Sequence, residues 1–287
     1  MQLLASRTGW VSPTHRSLPR VRLLRPGSAA EAVAAHTEEG PDARYHCGGT
    51  DLAAQFREGL APSALVHLGG VQELRSITHT DDGLHLGAGV DHATGSLAPD
   101  VVSLLPGLAD GWGRIATVRI RFTATLGGNL MARRTRYEMP IMLRALGARL
   151  RFLGPDGVFE TEPVDLWEDA PPAASLLLGA RIPEPGRVRL AYDRSLRPVM
   201  TVAVALRETD TGIHGRAVLG SEYRAPRAVD FDLTDHPRDE AGLTALAQDT
   251  AARFDDSVGD PVTSADYRRR AAAVLIRRRL QDLLKGA

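Results

Sequence analysis

Lysine and cysteine are all but missing from this 287-residue chain. Lys285 is the only lysine, against thirty-four arginines. A P-loop lysine, a Schiff-base lysine or a lysine general base is therefore excluded everywhere except at Lys285, close to the C-terminus. The single cysteine, Cys47, excludes a disulfide framework, a cysteine-ligated zinc site and an iron–sulfur cluster held by this chain alone. Net charge is also missing: 35 basic residues balance 35 acidic ones. That balance argues against nucleic acid, whose phosphates need an excess of cations to displace their counterions. No apolar run is long enough for a membrane span or an export signal. Met1 to Pro19 instead carries Arg7, Arg16 and scattered Ser, Thr and Pro. It reads as a short flexible extension, residues 1–20, of a cytoplasmic protein. The nine histidines form no His-x-x-x-His or His-Glu-x-x-His pair and no Gly-x-Ser-x-Gly occurs, so neither a metal site nor a serine hydrolase is expected.

What is present is an ordinary globular composition, 43% apolar and 24% charged. The length exceeds what one core fills, so two or three lobes are expected. Ser28, with Glu31 three residues on, caps a helix running to His36. Asp42 to His46 is extended, Leu52 to Glu58 is a helix, and Ala64 to Leu68 is a buried strand. Leu84 to Val90 alternates as a half-buried strand, followed by a helix over Asp91 to Ala98. Val118 to Phe122, β-branched and aromatic, reads as a further strand. Tyr137 to Leu150 reads as one helix with Met139, Met142, Leu143 and Leu146 on its apolar face. A boundary falls at Ile182 to Gly186. Beyond it, Val199 to Leu206 and Ile213 to Leu219 form an antiparallel pair turning at Asp210-Thr211-Gly212. Two helices follow, Glu240 to Phe254 and Ser264 to Leu284. The arginine runs 268–270 and 277–279 read as a solvated face of the last helix, with Tyr267, Ala271, Val274 and Leu275 turned inward; a docking surface is the functional alternative. The fold class is α+β.

Two glycine loops are the sharpest local feature: Gly48-Gly49-Thr50 and Thr125-Leu126-Gly127-Gly128-Asn129. Glycine pairs turn tightly and line up backbone N–H groups where an anion can approach. The first loop also opens a helix, adding the N–H groups of Leu52 and Ala53. Asp51 works against this, since a carboxylate repels a phosphate aimed at it. Each loop alone is more readily read as a simple turn. Cys47, beside the first loop, reads as a small packed residue.

The order of segments from Val21 to Leu284 resembles the FAD-binding subunits and domains of the molybdenum hydroxylases, a PCMH-type family that includes the medium subunit of carbon monoxide dehydrogenase and the flavin domain of xanthine dehydrogenase. The residues that carry the resemblance are Leu24-Arg25-Pro26, Cys47-Gly48-Gly49-Thr50-Asp51-Leu52, Asp82 to Ala88, Ile115 to Arg121 and Ala124 to Leu130. Pro226-Arg227-Ala228, Asp266-Tyr267-Arg268-Arg269 and Arg277-Arg278 extend it to the C-terminal region. The resemblance implies a two-lobed FAD-binding domain over 21–182 and a smaller C-terminal α+β domain over 187–287. It implies that Cys47, Gly48, Gly49, Thr50, Asp51 and Leu52 hold one side of the FAD diphosphate. Thr125, Leu126, Gly127, Gly128 and Asn129 would hold the other, with Glu138 near the flavin's sugar chain and the ring against the C-terminal domain. No catalytic residue is assigned.

The departures from the family pattern fall on the flavin side. Arg121-Phe122 stands where Arg-Asn is common, and Glu138 where an aspartate is. Arg133-Arg134-Thr135-Arg136 is unusually basic, and Arg194 or Arg197 would have to replace a lysine near the ring. The first functional expectation is an oxidoreductase subunit in a hetero-oligomer. It would take electrons from iron–sulfur and molybdenum-cofactor chains and pass them to NAD+, a quinone or oxygen. The alternatives are a stand-alone flavoenzyme, with Arg133, Arg134, Arg136, Tyr192 or Tyr223 facing a substrate, and a scaffold that has lost the flavin.

Overall fold

The protein was described from a computed structural model that covers residues 21–195, 199–234, 236–258 and 263–285. The expected extension 1–20 and Arg197 lie outside the described residues. The chain is α+β, as the element order implies.

The first segment builds a small parallel sheet from β1 (Arg22–Leu24), β2 (Arg44–His46) and β3 (Ala64–His67), in the order β1-β3-β2. Between the strands run α1 (Ala29–Glu39) and α2 (Thr50–Arg57). Ser28 caps α1 through its hydroxyl, which accepts from the Glu31 N–H at 3.2 Å. The Glu31 carboxylate returns to the Gly27 N–H at 2.7 Å, a reciprocal cap displaced by one residue. Ala29, Ala32 and Val33 on the inner face of α1 pack on Val66, Leu68 and Leu74.

The middle of the chain runs through β4 (Ile77–Thr80), β5 (Gly83–Gly87), α3 (His92–Leu97), α4 (Pro99–Leu104), α5 (Pro106–Gly113), α6 (Val118–Arg121), α7 (Leu126–Met131), α8 (Glu138–Ala145), β6 (Arg149–Gly154), β7 (Gly157–Thr161), α9 (Asp165–Glu168) and β8 (Leu176–Ile182). Its strands form a five-stranded antiparallel sheet, β4-β5-β8-β6-β7. Two expectations are corrected here. Residues 118–121 are a helical turn, not a strand. Their alternation of apolar and arginine residues finds no sheet edge to join, and Val118 and Phe122 stay exposed. The helix read over Tyr137 to Leu150 stops at Ala145, because Gly147 takes a left-handed φ of 69° and Arg149 already pairs with Arg181 of β8. Its expected apolar face is right: Met139, Met142, Leu143 and Leu146 are buried.

The last region is a four-stranded antiparallel sheet of β9 (Val188–Arg194), β10 (Met200–Thr209), β11 (Gly212–Ser221) and β12 (Arg227–Asp232), followed by α10 (Glu240–Ala252) and α11 (Ala265–Lys285). Strand β10 is buried from Met200 to Leu206, with Thr201 the one polar residue in that run, because the sheet is covered on both sides. Met200, Val202, Val204 and Leu206 face the core under α10 and α11. Ala203 and Ala205 face the middle of the chain, in one core with Leu108, Trp112, Met142 and Leu143. The inward face of α11 also corrects the sequence. Tyr267 and Val274 are exposed, while Arg268 is fully buried alongside Ala272, Leu275, Ile276 and Leu280. Arg268 holds a core position because Asp256 meets it inside, with Nε–Oδ2 at 2.7 Å and a second guanidinium contact at 2.9 Å. The remaining arginines are largely paired, Arg269 with Asp266, Arg277 with Glu240 and Arg279 with Asp193 and Asp282.

Candidate functional site

The two glycine loops meet. A Cβ built on Gly48 would lie 1.9 Å from the Thr123 carbonyl oxygen, so only glycine lets the first loop rest on the backbone that leads into the second. Gly49 is the N-cap of α2 with a left-handed φ of 71°. Among the described residues, no hydrogen bond is made by the N–H groups of Gly49, Thr50, Asp51 or Leu52. These are the four donors that every helix start leaves without an intrahelical partner. The second loop spends its donors. Leu126 N–H donates to Val90 O at 2.9 Å, Gly127 N–H to Ala88 O at 2.8 Å, and Gly128 N–H to the Thr125 hydroxyl at 3.1 Å. Thr125 thus caps α7 through its hydroxyl oxygen, which accepts and leaves the O–H able to donate.

Two cavities open on either side of this junction. The first, about 430 Å³, is lined by Cys47, Gly48, Gly49 and Leu52 from the first loop, by Thr125, Gly127 and Gly128 from the second, and by Tyr45 and Ser175 at its far end. The second, about 220 Å³, is lined by His92, Ile120, Asn129, Tyr137, Glu138 and Arg194. Thr50, Asp51, Ala124 and Gly128 border both. Of the twelve residues expected to hold FAD, only Leu126 lines neither, its side chain being fully buried in the core, and of those offered as facing a substrate Arg134, Tyr192 and Tyr223 line neither. Two cavities that share a border at a row of unspent N–H groups suit an extended dinucleotide with its anionic centre at that border.

Asp51 is committed to the protein. Its carboxylate accepts from Gln55 Nε2 at 2.5 Å, Tyr137 Oη at 3.0 Å and Arg134 Nε at 3.2 Å. Burial pushes its carboxyl up, but these donors together outweigh burial and hold it below the ordinary carboxylate value. Burial and the Asp51 charge push the Tyr137 phenol up to about 12. The repulsion expected of Asp51 toward an anion is therefore largely neutralised by Arg134. The basic stretch has the same explanation: Arg134 also reaches Glu58 at 3.6 Å, and Arg136 reaches Glu222 at 3.2 Å. Glu138 is buried, and burial raises its carboxyl even though Arg194 lies 3.1 Å away. Arg194, which the sequence offered in place of a lysine, thus contributes a paired cation to the second cavity. Tyr192 is buried and Tyr223 packs under the Arg268 guanidinium, 5.0 Å from its ring centroid. Burial pushes the Cys47 thiol up, which leaves it a packed, unreactive neighbour of Thr125.

Sequence reasoning missed two histidine arrangements. His46 and His67 face each other across β2 and β3 with their Nδ1 atoms 2.9 Å apart. Each ring abuts a glycine that has no room for a Cβ, Gly49 and Gly69. The repeated His-x-Gly-Gly at 46–49 and 67–70 was the signal. His92 accepts from Trp112 in the core, and nothing in the local sequence announces a contact twenty residues away.

A family model described as the FAD binding domain in molybdopterin dehydrogenase matches residues 19–185. The chain is 28% identical over 274 residues to the carbon monoxide dehydrogenase medium chain of Afipia carboxidovorans, spanning 90% of this chain and 94% of that one. It is 29% identical over 281 residues to the nicotine 6-hydroxylase medium subunit of Paenarthrobacter nicotinovorans, spanning 92% and 98%. Its structure matches quinoline 2-oxidoreductase from Pseudomonas putida 86 with a TM-score of 0.84 at 25% identity, over 95% of this chain and 99% of that one.

Proposed function

The chain belongs to the FAD-binding domains of molybdopterin dehydrogenases, and from that premise we propose that this FAD-dependent oxidoreductase is the electron-transferring flavoprotein subunit of a molybdenum hydroxylase. It receives electrons from an iron–sulfur partner chain fed by a molybdenum-cofactor chain, and delivers them to NAD+, a quinone or oxygen. With Cys47 its only cysteine, the chain relies on other polypeptides for any iron–sulfur cluster. Similarity to medium chains along nearly their whole length supports the role of a subunit in a soluble, cytoplasmic assembly. No helix among the described residues is long and apolar enough to cross a membrane.

The residues present fit FAD. The observation that carries the reading is the row of four unspent N–H groups, Gly49 to Leu52, at the point where the two cavities meet. These donors would hold the diphosphate, with α2 behind them supplying positive potential. Gly48 and Gly127 let the two loops close on it without side chains in the way. The adenosine half belongs in the larger cavity and the flavin half in the smaller, against Arg194 of β9. When bound, FAD supplies the one- and two-electron chemistry that no side chain here supplies. The chain's own part is to orient the group, to keep water from the buried edge near Glu138 and Tyr192, and to set the local charge. A stand-alone flavoenzyme is less well supported, since Arg134, Arg136 and Glu138 are held by partners within the chain.

Purification tests this directly. The chain, expressed with and without added FAD, is expected to hold FAD at one per chain and to co-purify with an iron–sulfur chain and a large molybdenum chain when these are co-expressed. A chain that stays colourless and cannot be reconstituted overturns the flavin reading. A chain that binds FAD yet turns over a substrate alone overturns the subunit reading.

A further inference from the structure

We infer that His92 is a cofactor-binding residue of the second cavity, a neutral N–H donor held there for an acceptor atom of the flavin ring. This rests on the placement of the flavin half given above. His92 is 1% exposed and lines that cavity. Its main-chain N–H donates to Ala124 O at 3.0 Å, which fixes the residue beside the second glycine loop. Its Nδ1 accepts from the Trp112 indole N–H at 2.7 Å. An indole nitrogen can only donate, so Nδ1 is the bare nitrogen and the neutral ring carries its hydrogen on Nε2. Burial, helped by the Arg121 charge and opposed by the Asp91 carboxylate, pushes the imidazole down to about 4, so the ring is neutral at physiological pH. Trp112 reaches it only because Gly95 has no side chain: a Cβ there would lie 2.3 Å from the indole.

The result is a ring whose tautomer is set from one side and whose N–H is free on the other. Nε2 makes no hydrogen bond among the described residues. The atom is not among the fully buried polar atoms left without a partner, and the cavity that His92 lines is where one can enter. Several other side chains there are engaged, Glu138 with Arg194, Tyr137 with Asp51 and Arg136 with Glu222. Beside the main-chain N–H groups of Thr50 and Asp51 that border it, His92 thus adds an open side-chain donor to this cavity, and a neutral one. That suits a carbonyl oxygen or ring nitrogen, not a phosphate, which the first glycine loop serves.

Two substitutions separate a cofactor contact from a packing role, because asparagine places its amide where Nδ1 lies and glutamine places its amide where Nε2 lies. His92→Asn keeps an acceptor for Trp112 and removes the cavity donor. His92→Gln keeps the cavity donor and strands Trp112. The full-length chain is titrated with FAD and, separately, with ADP, which probes the loops without the flavin; the visible absorption of bound FAD and the melting temperature are recorded. His92→Asn is expected to melt close to wild type and bind ADP unchanged. It should bind FAD about tenfold more weakly, as the loss of one hydrogen bond implies, with a shifted flavin band. His92→Gln is expected to keep FAD affinity and band position at a lower melting temperature. Wild-type FAD affinity and spectrum in His92→Asn would overturn the inference while leaving the flavin reading intact. Equal losses of ADP and FAD binding in both variants would overturn it in favour of a packing role. A wild-type chain that binds no FAD would overturn the inference and the reading beneath it together.

Discussion

The first glycine loop ends in four N–H groups that no described residue uses, whereas the second spends the corresponding groups on Val90, Ala88 and its own Thr125 hydroxyl. In sequence the two are near twins, a glycine pair beside a threonine, and both invite the same reading as an anion cradle. In space they divide the work. The first loop is the donor, backed by the eight residues of α2. The second is a buttress, stitched to the end of β5 and pressed against Gly48. The difference arises from what lies beside each loop: the second runs along the backbone of 88–91 and pairs with it at Asp91–Thr125, while the first projects over the cavity. A glycine motif therefore says that backbone approaches something closely. It does not say whether that something is a ligand or the protein itself.

Substitutions at the two loops should separate these roles, and the largest effect is expected at their contact. Gly48→Ala forces a methyl onto the Thr123 carbonyl. That overpacking costs about 1–3 kcal/mol. Spent on prising the loops apart, it lowers FAD affinity by up to about 100-fold. Flavin-to-protein ratio after gel filtration, with circular dichroism as a check on folding, measures it; full retention would mean that the loops need not touch. Thr125→Val should do the reverse. It removes the helix cap at a cost of about 0.5–2 kcal/mol in stability, read by urea denaturation, while the folded protein keeps FAD within a few-fold. A collapse of FAD binding at unchanged stability would make the second loop a donor after all.

Asp51 gives a pH-dependent contrast, since it belongs to the donor loop but serves the fold. A carboxyl held below its unfolded value stabilises the fold above that value, near pH 4, and the contribution is lost as pH falls through the folded value. Wild type should therefore be more stable than Asp51→Asn at neutral pH. The two urea midpoints should converge as the pH drops below about 4. A gap that persists unchanged into acid would assign the effect to shape instead of charge. The smallest change is expected for Gly128→Ala. A Cβ there meets only the Thr125 hydroxyl, at 3.2 Å, so apo stability should stay within about 0.5 kcal/mol. The new methyl borders the junction of the two cavities, and FAD affinity should fall severalfold.

Much of this arrangement was legible in the sequence, because local rules governed it. Ser28 and Glu31, the turn at Asp210-Thr211, and the apolar face of α8 follow from capping, hairpin and periodicity rules that act over a few residues. The family was legible too, from motifs spread in order along the chain, and the match over residues 19–185 agrees with it. What the sequence hid was set by distant partners. Residues 118–121 alternate like a strand but have no edge to join, and Arg268 became a core residue only because Asp256 lies inside with it. Arg133 to Arg136 looked like a surface for substrates, yet Asp51, Glu58 and Glu222 pair two of its arginines. The unequal loops belong to the same class, since the partners of Leu126 and Gly127 lie nearly forty residues earlier.

Amide hydrogen exchange, resolved residue by residue by NMR with and without FAD, tests the division of labour most directly. In the free protein the N–H groups of Leu126 and Gly127 should already be protected, and those of Gly49, Thr50, Asp51 and Leu52 should exchange rapidly. Binding of FAD should slow exchange at 49–52 strongly and change 126 and 127 little. Protection gained at 126–128 with 49–52 left exchanging freely would contradict the account, because the diphosphate would then rest on the second loop.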